Sequence, residues 1–472
     1  MVMARSHVRV QIAWLALIDL VCLLIGSLAG IICRLGHGAT MVYAFEHIDG
    51  WMMFFGSVIL ANYLAGSYRV QYTFSRFNLL VTWLFSLVFA LFILSITSYA
   101  WFMVVLGRGV LLISIVVYSV VSLSLKMMVY RTLFRSDRFT CRTVIIGCGK
   151  SAEFCRRIIE KEFVLPAHKA VAFIAVLDSK VELRSGSDFN DGVVIIYASV
   201  DKLEEVIKSL GVDLVILALD DMSNVNVLYP QLKHLRFSGM EVLTPLHIAE
   251  IYSGMTPLEY IDEDLLMQVS MESRLLSIWR IKRISDIIIS LFACIISAPL
   301  MVLVAIIMKL FEPRSPIMYS QEREGRFGVP FTIYKLRTMK HGAEDDTGPV
   351  WAEADDLRIT RLGSFLRKTR IDEIPQFFNI LRGDMSLVGP RPERTAIINK
   401  IEEHIPFYRE RENVMPGLTG WAQIRYHYGS SIKDARRKLE YDLYYIKHLS
   451  LSLDLQIVLS TLRIVLFGKE RS

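Results

Sequence analysis

Long apolar stretches are the feature of the sequence that most restricts what this chain can fold into. Four of them lie near the start of the chain, at positions 12–33, 51–65, 79–105 and 110–129. A helix needs about 20 apolar residues to cross a bilayer, and these stretches are too uniformly apolar for the amphipathic helices of a soluble core. The chain is also 53% hydrophobic and only 21% charged, which excludes a disordered protein. We therefore predict four membrane-spanning helices.

Basic residues beside these stretches predict the orientation of the chain. Arg5 and Arg9 precede the first stretch, and Arg69 and Arg76 lie between the second and the third. A basic cluster accompanies the end of the fourth: Lys126, Arg131, Arg135, Arg138 and Arg142. Positive charge favours the cytoplasmic side, so the N-terminus and everything after residue 130 are expected there. The net charge of +6 does not argue for nucleic acid, and it suits an anionic membrane surface.

Asp19 places a carboxyl group inside the first apolar stretch. Ionisable residues are costly in a membrane, so such a group marks either a functional site or a bond to a neighbouring helix. We expect the structural bond, near the edge of the membrane.

Residues 141–267 have the alternating pattern of a soluble α/β domain. Apolar segments typical of buried strands alternate with helical segments, which predicts a doubly wound, Rossmann-like parallel sheet. Gly147, Gly149 and Ala152 directly follow the first strand and form a variant of the dinucleotide-binding fingerprint. Asp178 ends a later strand, where a ribose-binding acid would stand. These residues are candidates for binding a dinucleotide or a sugar nucleotide.

A fifth apolar stretch covers residues 286–311, with Pro299 near its middle. Basic residues flank it on both sides: Lys282, Arg283, Lys309 and Arg314. These flanks disfavour crossing, and a crossing would place the two soluble domains on opposite faces of the membrane. Proline favours a sharp bend, and Ser297 is placed to bond backbone groups that the bend frees. We predict a re-entrant helix at about 285–310, with a straight fifth span as the alternative.

The densest group of charged residues lies between positions 355 and 393. Basic residues lead into the acidic pair Asp372-Glu373: Arg358, Arg361, Arg367, Lys368 and Arg370. Arginine side chains and a helix N-terminus hold phosphate oxygens, while carboxylates bind Mg²⁺ or attack phosphorus. Spacing alone leaves open that the two carboxylates only favour the helix dipole.

Basic residues in two other segments are candidates for phosphate binding. Arg391 stands between Pro390 and Pro392, which restrict its backbone, although a plain rigid turn has the same pattern. Arg323, Lys335 and Arg337 lie near glycine-containing turns. They are placed either to reach a diphosphate or to form a solvated strand edge.

The turn-rich segment 414–426 carries Trp421 and Gln423. A uracil ring can stack on a tryptophan, but packing of the indole is the favoured interpretation. Gln423 is kept as a candidate for substrate binding.

Four motifs resemble the bacterial sugar transferase family. They are Lys-Leu-Arg-Thr-Met at 335–339, Arg-Ile-Asp-Glu-Ile-Pro-Gln at 370–376, Gly-Asp-Met-Ser-Leu-Val-Gly-Pro-Arg-Pro-Glu at 383–393 and Pro-Gly-Leu-Thr-Gly-Trp-Ala-Gln at 416–423. Members of this family are monotopic polyprenyl-phosphate glycosyl-1-phosphate transferases. The added membrane helices and α/β domain resemble the large subfamily, which includes undecaprenyl-phosphate glucose phosphotransferases of exopolysaccharide and capsule synthesis.

The resemblance implies a role for each motif residue. Asp372 would attack the β-phosphate of a UDP-sugar and expel UMP, and undecaprenyl phosphate would then attack the covalent aspartyl intermediate. Glu373 would assist at Mg²⁺, the expected cofactor, or orient the lipid phosphate. Arg391 would bind phosphate or nucleotide. Asp442 is a weaker candidate, for which a metal site and a plain helix surface are equally compatible.

These observations predict three domains: a four-helix membrane region at 1–140, a Rossmann-like α/β domain at 141–267, and a mainly α, re-entrant catalytic domain at 268–472. The protein is expected in the bacterial inner membrane, multi-pass, with its soluble domains in the cytoplasm. A homodimer is compatible with this organisation. The alternatives are a membrane-tethered, NAD-dependent sugar-nucleotide modifying enzyme and a non-catalytic scaffold. The resemblance implies that the middle domain is a fold relic or a regulatory module, which disfavours redox chemistry.

Overall fold

The structure, a computed structural model, describes residues 3–65, 67–68, 76–100, 106–132, 141–161, 168–177, 194–199, 202–220, 225–261, 274–340, 358–426 and 431–467. The chain divides into two units, Met1–Gly254 and Met255–Ser472. The membrane region and the α/β domain that the sequence separates both fall within the first unit. Their division at residue 140, and the boundary at 267, stay predictions.

The predicted N-terminal membrane helices are all present as helices. Their bounds, with a short connecting helix, are Met3–Leu35, Thr40–Glu46, Ile48–Leu64, Arg76–Ala100 and Arg108–Thr132. Ala13–Leu35, Thr82–Tyr99 and Arg108–Val129 are long and apolar enough to cross a membrane. Ile48–Leu64 is also apolar but shorter. Length and composition therefore support membrane association, while the orientation stays a prediction.

Helices Met3–Leu35 and Arg108–Thr132 approach closely at two glycines one helical turn apart. A Cβ atom on Gly26 would lie 2.6 Å from the carbonyl oxygen of Ser114. One on Gly30 would lie 2.2 Å from the hydroxyl of Ser114 and 2.6 Å from the carbonyl oxygen of Val110. This is the small-xxx-small packing that lets membrane helices meet backbone to backbone.

Asp19 is fully buried at the centre of a polar network between these helices. Its carboxylate accepts hydrogen bonds from four side chains: Asn62 at 3.2 Å, Tyr118 at 3.2 Å, Ser122 at 2.7 Å and Lys126 at 2.7 Å. The expected structural bond is thus present. Lys126, which the sequence assigns to the exposed cytoplasmic flank, is instead buried, because Asp19 neutralises it within the bundle.

The α/β part of the first unit is built on a five-stranded parallel sheet. Its strands are β1 (Cys141–Ile146), β2 (His168–Leu177), β3 (Val194–Ser199), β4 (Leu214–Leu217) and β5 (Glu241–Leu243), in the order β3-β2-β1-β4-β5. The accompanying helices are Lys150–Lys161, Leu203–Ser209, Val225–Phe237 and Pro245–Ile248. Apolar residues such as Val144, Ile174 and Val215 form its core. Asp178 lies outside the described residues.

The second unit begins with a short 3₁₀ turn, Leu258–Tyr260, and continues through a long apolar helix into a set of short elements. Its helices are Arg274–Phe311, Arg361–Thr369, Gln376–Arg382, Thr395–Glu402, Trp421–Arg425, Ile432–Lys447 and Leu451–Phe467. Its strands are β6 (Met318–Glu324) antiparallel to β7 (Pro330–Leu336), and β8 (Ser386–Val388) parallel to β9 (Gly417–Thr419).

Helix Arg274–Phe311 runs without interruption through Pro299, so the residues predicted to break it remain helical. Ser297 donates its hydroxyl to the carbonyl of Cys294 at 3.4 Å rather than to a group freed by a break. Only 11% of the span Ile278–Phe311 is buried. The helix therefore offers an apolar surface to lipid, and the re-entrant path stays a prediction.

Basic residues at the start of this helix hold the second unit together instead of standing free at a membrane surface. Lys282 is buried, donates to the carbonyl of Val388 at 2.9 Å, and pairs with Asp454. Arg283 donates to the carbonyls of Ile380 and Leu381, which end helix Gln376–Arg382. Cations at a helix C-terminus satisfy its unpaired carbonyls.

Gly30→Leu is expected to destabilise the N-terminal bundle by about 1–3 kcal/mol, because the added side chain must push helix Arg108–Thr132 away. Gly56→Leu is the matched control, since a Cβ atom there meets nothing within 4 Å. The measurement is the free energy of unfolding in mixed micelles titrated with SDS. Equal losses for the two variants would contradict this packing.

Candidate functional site

Asp372 and Glu373 lie in a tight turn between two helices of the second unit. Helix Arg361–Thr369 ends at Arg370, which adopts the left-handed conformation with φ of 60°. A short 3₁₀ turn, Ile371–Glu373, follows directly, and the chain then enters helix Gln376–Arg382. Both carboxylates are buried by this reversal, with Asp372 only 7% exposed.

Glu373 gathers three cations on one carboxylate oxygen. Its Oε1 lies 2.9 Å from Nη2 of Arg391, 3.4 Å from Nη1 of Arg370 and 3.5 Å from Nζ of Lys335. Four predicted site residues from three separate motifs therefore meet at one atom. The helix-dipole interpretation of the acidic pair does not account for this convergence.

The electrostatics of the two carboxylates differ. Burial alone raises the pKa of Glu373, but Arg391, Lys335 and Arg370 together hold it well below its usual range. Burial and the neighbouring Glu373 raise the pKa of Asp372, against the opposing effect of Lys335 and the nearby arginines. Glu373 is thus fixed as an anion that holds cations, while Asp372 is the more weakly compensated and more basic carboxylate.

Lys335 shares the site from strand β7. Burial and the neighbouring Arg391 lower its pKa to about 8, although Glu373 acts in the opposite direction. An ordinary lysine has a pKa of about 10.4, so Lys335 can lose its charge in mildly alkaline solution.

Asp372 presents an atom suited to a ligand. Its buried Oδ1 has no hydrogen-bond partner among the described residues. Nearby Gln376 also has a buried Nε2 without a partner among them. A buried polar atom left unpaired is unfavourable, so it indicates a position completed by substrate or by an ion. Within the described ranges no three His, Cys, Asp or Glu side chains cluster as a metal site, so a cation here would share its ligands with substrate.

The backbone that carries Arg391 is held in place by close packing against residues 415–419. A Cβ atom on the preceding Gly389 would lie 2.2 Å from the carbonyl oxygen of Met415, so only glycine fits there. Gly389 also donates its N–H to Thr419, and Gly417 donates to Pro390. This explains why the Gly-Pro-Arg-Pro and Pro-Gly-Leu-Thr-Gly motifs occur together: their backbones pack directly on each other around β8 and β9.

The remaining predicted residues have different surroundings. Gln423 accepts from Nη1 of Arg391 at 3.2 Å and so belongs to the site. Arg323 pairs with Glu393 at 3.3 Å. Arg337 is bonded to the carbonyls of Pro316 and Met339 and to Glu312, away from Glu373. Phosphate binding by Arg323 or Arg337 stays a prediction that requires replacing these partners.

Trp421 is packed rather than presented to a ligand. It is buried, stacks on Tyr444 with ring centroids 5.7 Å apart, and has the guanidinium of Arg425 over its ring. This agrees with the packing interpretation that the sequence favours.

Arg411 holds the backbone of the site and is not among the residues predicted from the sequence. It donates to the backbone carbonyl of Arg391 at 2.9 Å, to the hydroxyl of Tyr408 at 2.8 Å and to Asp442 at 2.9 Å. Asp442 is fully buried, so its interpretation as a helix-surface residue is wrong. The pair joins sequence positions 31 apart, and no local pattern marks such a contact.

Comparison with known proteins shows which family the sequence around this site resembles. The profile described as bacterial sugar transferase matches residues 277–468. An undecaprenyl-phosphate glucose-1-phosphate transferase using UDP-glucose, from Caulobacter vibrioides, is 44% identical over 182 residues, 38% of this chain and 67% of the relative. The chain belongs to the bacterial sugar transferase family.

Other members of this family are also similar to the chain. A UDP-N-acetylgalactosamine-undecaprenyl-phosphate N-acetylgalactosaminephosphotransferase from Aeromonas hydrophila is 42% identical over 221 residues, 47% of this chain and 51% of the relative. The exopolysaccharide production protein PSS of Rhizobium leguminosarum is 37% identical over 186 residues, 38% of this chain and 92% of the relative. The match thus spans about half the length of the Aeromonas relative.

Arg411→Met is expected to lower the stability of the second unit, which we call the catalytic unit from here on, by about 3–5 kcal/mol, because it leaves Asp442 buried without a countercharge. The double variant Arg411→Met/Asp442→Leu should recover most of this loss, since no buried charge remains unpaired. Chemical denaturation of the purified protein, followed by tryptophan fluorescence, measures both. Additive losses in the double variant would show that the two side chains do not act as a pair.

Proposed function

We propose that the protein transfers a sugar-1-phosphate from a UDP-sugar to undecaprenyl phosphate, as the first membrane step of exopolysaccharide or capsule synthesis. The observation that carries this proposal is the buried Oδ1 of Asp372, which has no hydrogen-bond partner among the described residues and lies next to the three cations held by Glu373. A nucleophile for phosphorus needs a lone pair that no hydrogen bond engages, and nearby positive charge that binds the phosphate oxygens. The names of the relatives support both substrates.

The proposed reaction consists of two displacements at one phosphorus atom. A carboxylate oxygen of Asp372 bonds to the β-phosphorus of the donor, the bond from that phosphorus to the bridging oxygen breaks, and UMP leaves with the electron pair. An oxygen of the lipid phosphate then bonds to the same phosphorus and restores the free carboxylate. The product is a lipid diphosphate sugar, and no net proton or redox change is required.

The cations supply most of the stabilisation in this scheme. Arg391 and Lys335 hold the phosphate oxygens and reduce the repulsion between the anionic attacker and the anionic donor. Glu373 keeps the cations in place as their common anion. Gln423 fixes the second side of the Arg391 guanidinium.

Asp372 and Glu373 are the residues that would hold Mg²⁺. Oδ1 of Asp372 has no partner among the described residues and fits a cation that prefers oxygen ligands. Oε1 of Glu373 is already shared by three basic groups. When bound together with the donor diphosphate, Mg²⁺ supplies charge neutralisation.

The membrane arrangement forms part of the proposal. The two halves of helix Arg274–Phe311 both contact the rest of the catalytic unit, on either side of Pro299: Arg283 bonds helix Gln376–Arg382, while Val304 and Met308 pack with Leu366 of helix Arg361–Thr369. This supports a helix that enters the cytoplasmic leaflet and returns, with the soluble parts in the cytoplasm. The strand order of the parallel sheet supports a Rossmann-like fold for the middle domain.

Asp372→Ala is expected to lower the transfer rate by about a thousandfold or more, because the neighbouring carboxylate, Glu373, is already engaged by three basic groups. Membranes are incubated with a donor labelled with ³²P at the β-phosphate, and labelled lipid and acid-stable labelled protein are measured. Released UMP, which carries the unlabelled α-phosphate, is measured separately. Wild type should give all three, and Asp372→Ala none. Glu403→Gln, an exposed carboxylate outside the site, is the matched control and should match wild type.

Full transfer by Asp372→Ala would remove the proposed nucleophile. A modified nucleotide sugar with no labelled lipid would favour the NAD-dependent alternative, and the absence of any turnover in wild type would favour a scaffold.

The KM for the donor should rise once the pH exceeds about 8, the pKa of Lys335. Lys335 is charged below this value and binds phosphate, and it is neutral above it, so the rise approaches about tenfold per pH unit. Lys335→Arg should remove the rise, because arginine does not titrate in this range. Lys400→Arg, at an exposed position of helix Thr395–Glu402, should leave the wild-type profile intact. If Lys335→Arg kept the alkaline rise, another group would be responsible.

A further inference from the structure

Asp220 lies beside the glycine loop of the α/β part of the first unit, where the strand order of the sheet reverses. It follows β4 closely, and the glycine loop at 147–149 follows β1. β1 and β4 are neighbours, and the strand order β3-β2-β1-β4-β5 changes direction between them. Open α/β sheets bind their ligands in the crevice at this point, outside the carboxyl ends of the strands.

The carboxylate of Asp220 bonds the N-terminus of the first helix of this sheet. Its Oδ2 accepts the N–H of Lys150 at 2.9 Å, and its Oδ1 accepts the N–H of Ser151 at 2.8 Å. These amides belong to the first turn of helix Lys150–Lys161, where N–H groups have no partner within the helix. In a dinucleotide-binding domain the same amides hold the pyrophosphate.

The glycines of the fingerprint are explained by the chain itself. A Cβ atom on Gly149 would lie 1.8 Å from Oδ2 of Asp220. Gly147 has a φ of 125°, and its Cβ atom would lie 2.1 Å from the carbonyl oxygen of Ala218. Glycine is therefore required here by the segment after β4, without any cofactor.

We infer that the dinucleotide implied by the fingerprint does not fit this domain, because the carboxylate of Asp220 stands where its diphosphate would bind. An incoming diphosphate would have to displace two charge-assisted hydrogen bonds and would meet a negative charge at the same amides. The amide of Ser151 lowers the pKa of Asp220, which keeps this charge in place at neutral pH. The amides that would bind a diphosphate are thus already occupied by a carboxylate of the same domain.

Hydrogen exchange of the full chain in lipid nanodiscs tests this inference. Asp220→Ala should speed exchange of the amides of Lys150 and Ser151 by about tenfold or more, because both lose a bond to a charged acceptor. Inorganic pyrophosphate should slow it again in this variant and not in wild type. NAD⁺ should leave the wild-type exchange at these two amides unchanged.

Asp213→Ala is the matched control. Its carboxylate also accepts a backbone amide, that of Arg142 at 2.9 Å, but at the opposite end of the same two strands. It should leave Lys150 and Ser151 unchanged. Asp220→Asn, which keeps one acceptor oxygen and the side-chain shape, should give an intermediate rate even if Asp220→Ala folds poorly. Protection of wild type by NAD⁺, unchanged exchange in both Asp220 variants, or no effect of pyrophosphate on Asp220→Ala would each overturn the inference.

Discussion

The contact on which the catalytic unit depends is the one between Oε1 of Glu373 and three basic side chains. Arg370, Lys335 and Arg391 come from a helix end, a β-hairpin and a proline-bounded turn, and their mutual repulsion would separate these segments without a common anion. Because Glu373 provides that anion, the adjacent Asp372 is left with an oxygen that no described residue binds. One carboxylate organises the site, and the other is kept available.

A second group of buried charges lies beneath the first and fixes its geometry. Arg411 bonds the backbone of Arg391 and is itself neutralised by Asp442. Such pairs contribute little net stability compared with apolar packing, but breaking one is costly, so they favour a single arrangement of the turn. The close glycine contacts around β8 and β9 act in the same direction, since they leave no room for another backbone path.

The sequence predicted the apolar helices and the residues that meet at Glu373, because both leave local patterns: uniform hydrophobicity in the first case, and distinctive motifs in the second. It did not reveal Arg411, nor that the weaker candidate Asp442 would pair with it, because this pairing depends on the tertiary path between them. Lys282 and Lys126 were interpreted as flanking charges because burial cannot be read from position alone. Gly147 and Gly149 matched a binding fingerprint, yet the residue that accounts for Gly149 is Asp220, about 70 positions away along the chain.

The buried position of Lys282 has a mechanical consequence. Its ammonium group joins the apolar helix to Asp454 and to the carbonyl of Val388 at the end of β8. Val388 directly precedes Gly389 in the turn that carries Arg391. The start of the helix and the end of β8 are therefore tied together at this lysine. A tilt of the start of the helix is therefore expected to move the end of β8 and, with it, the turn that carries Arg391.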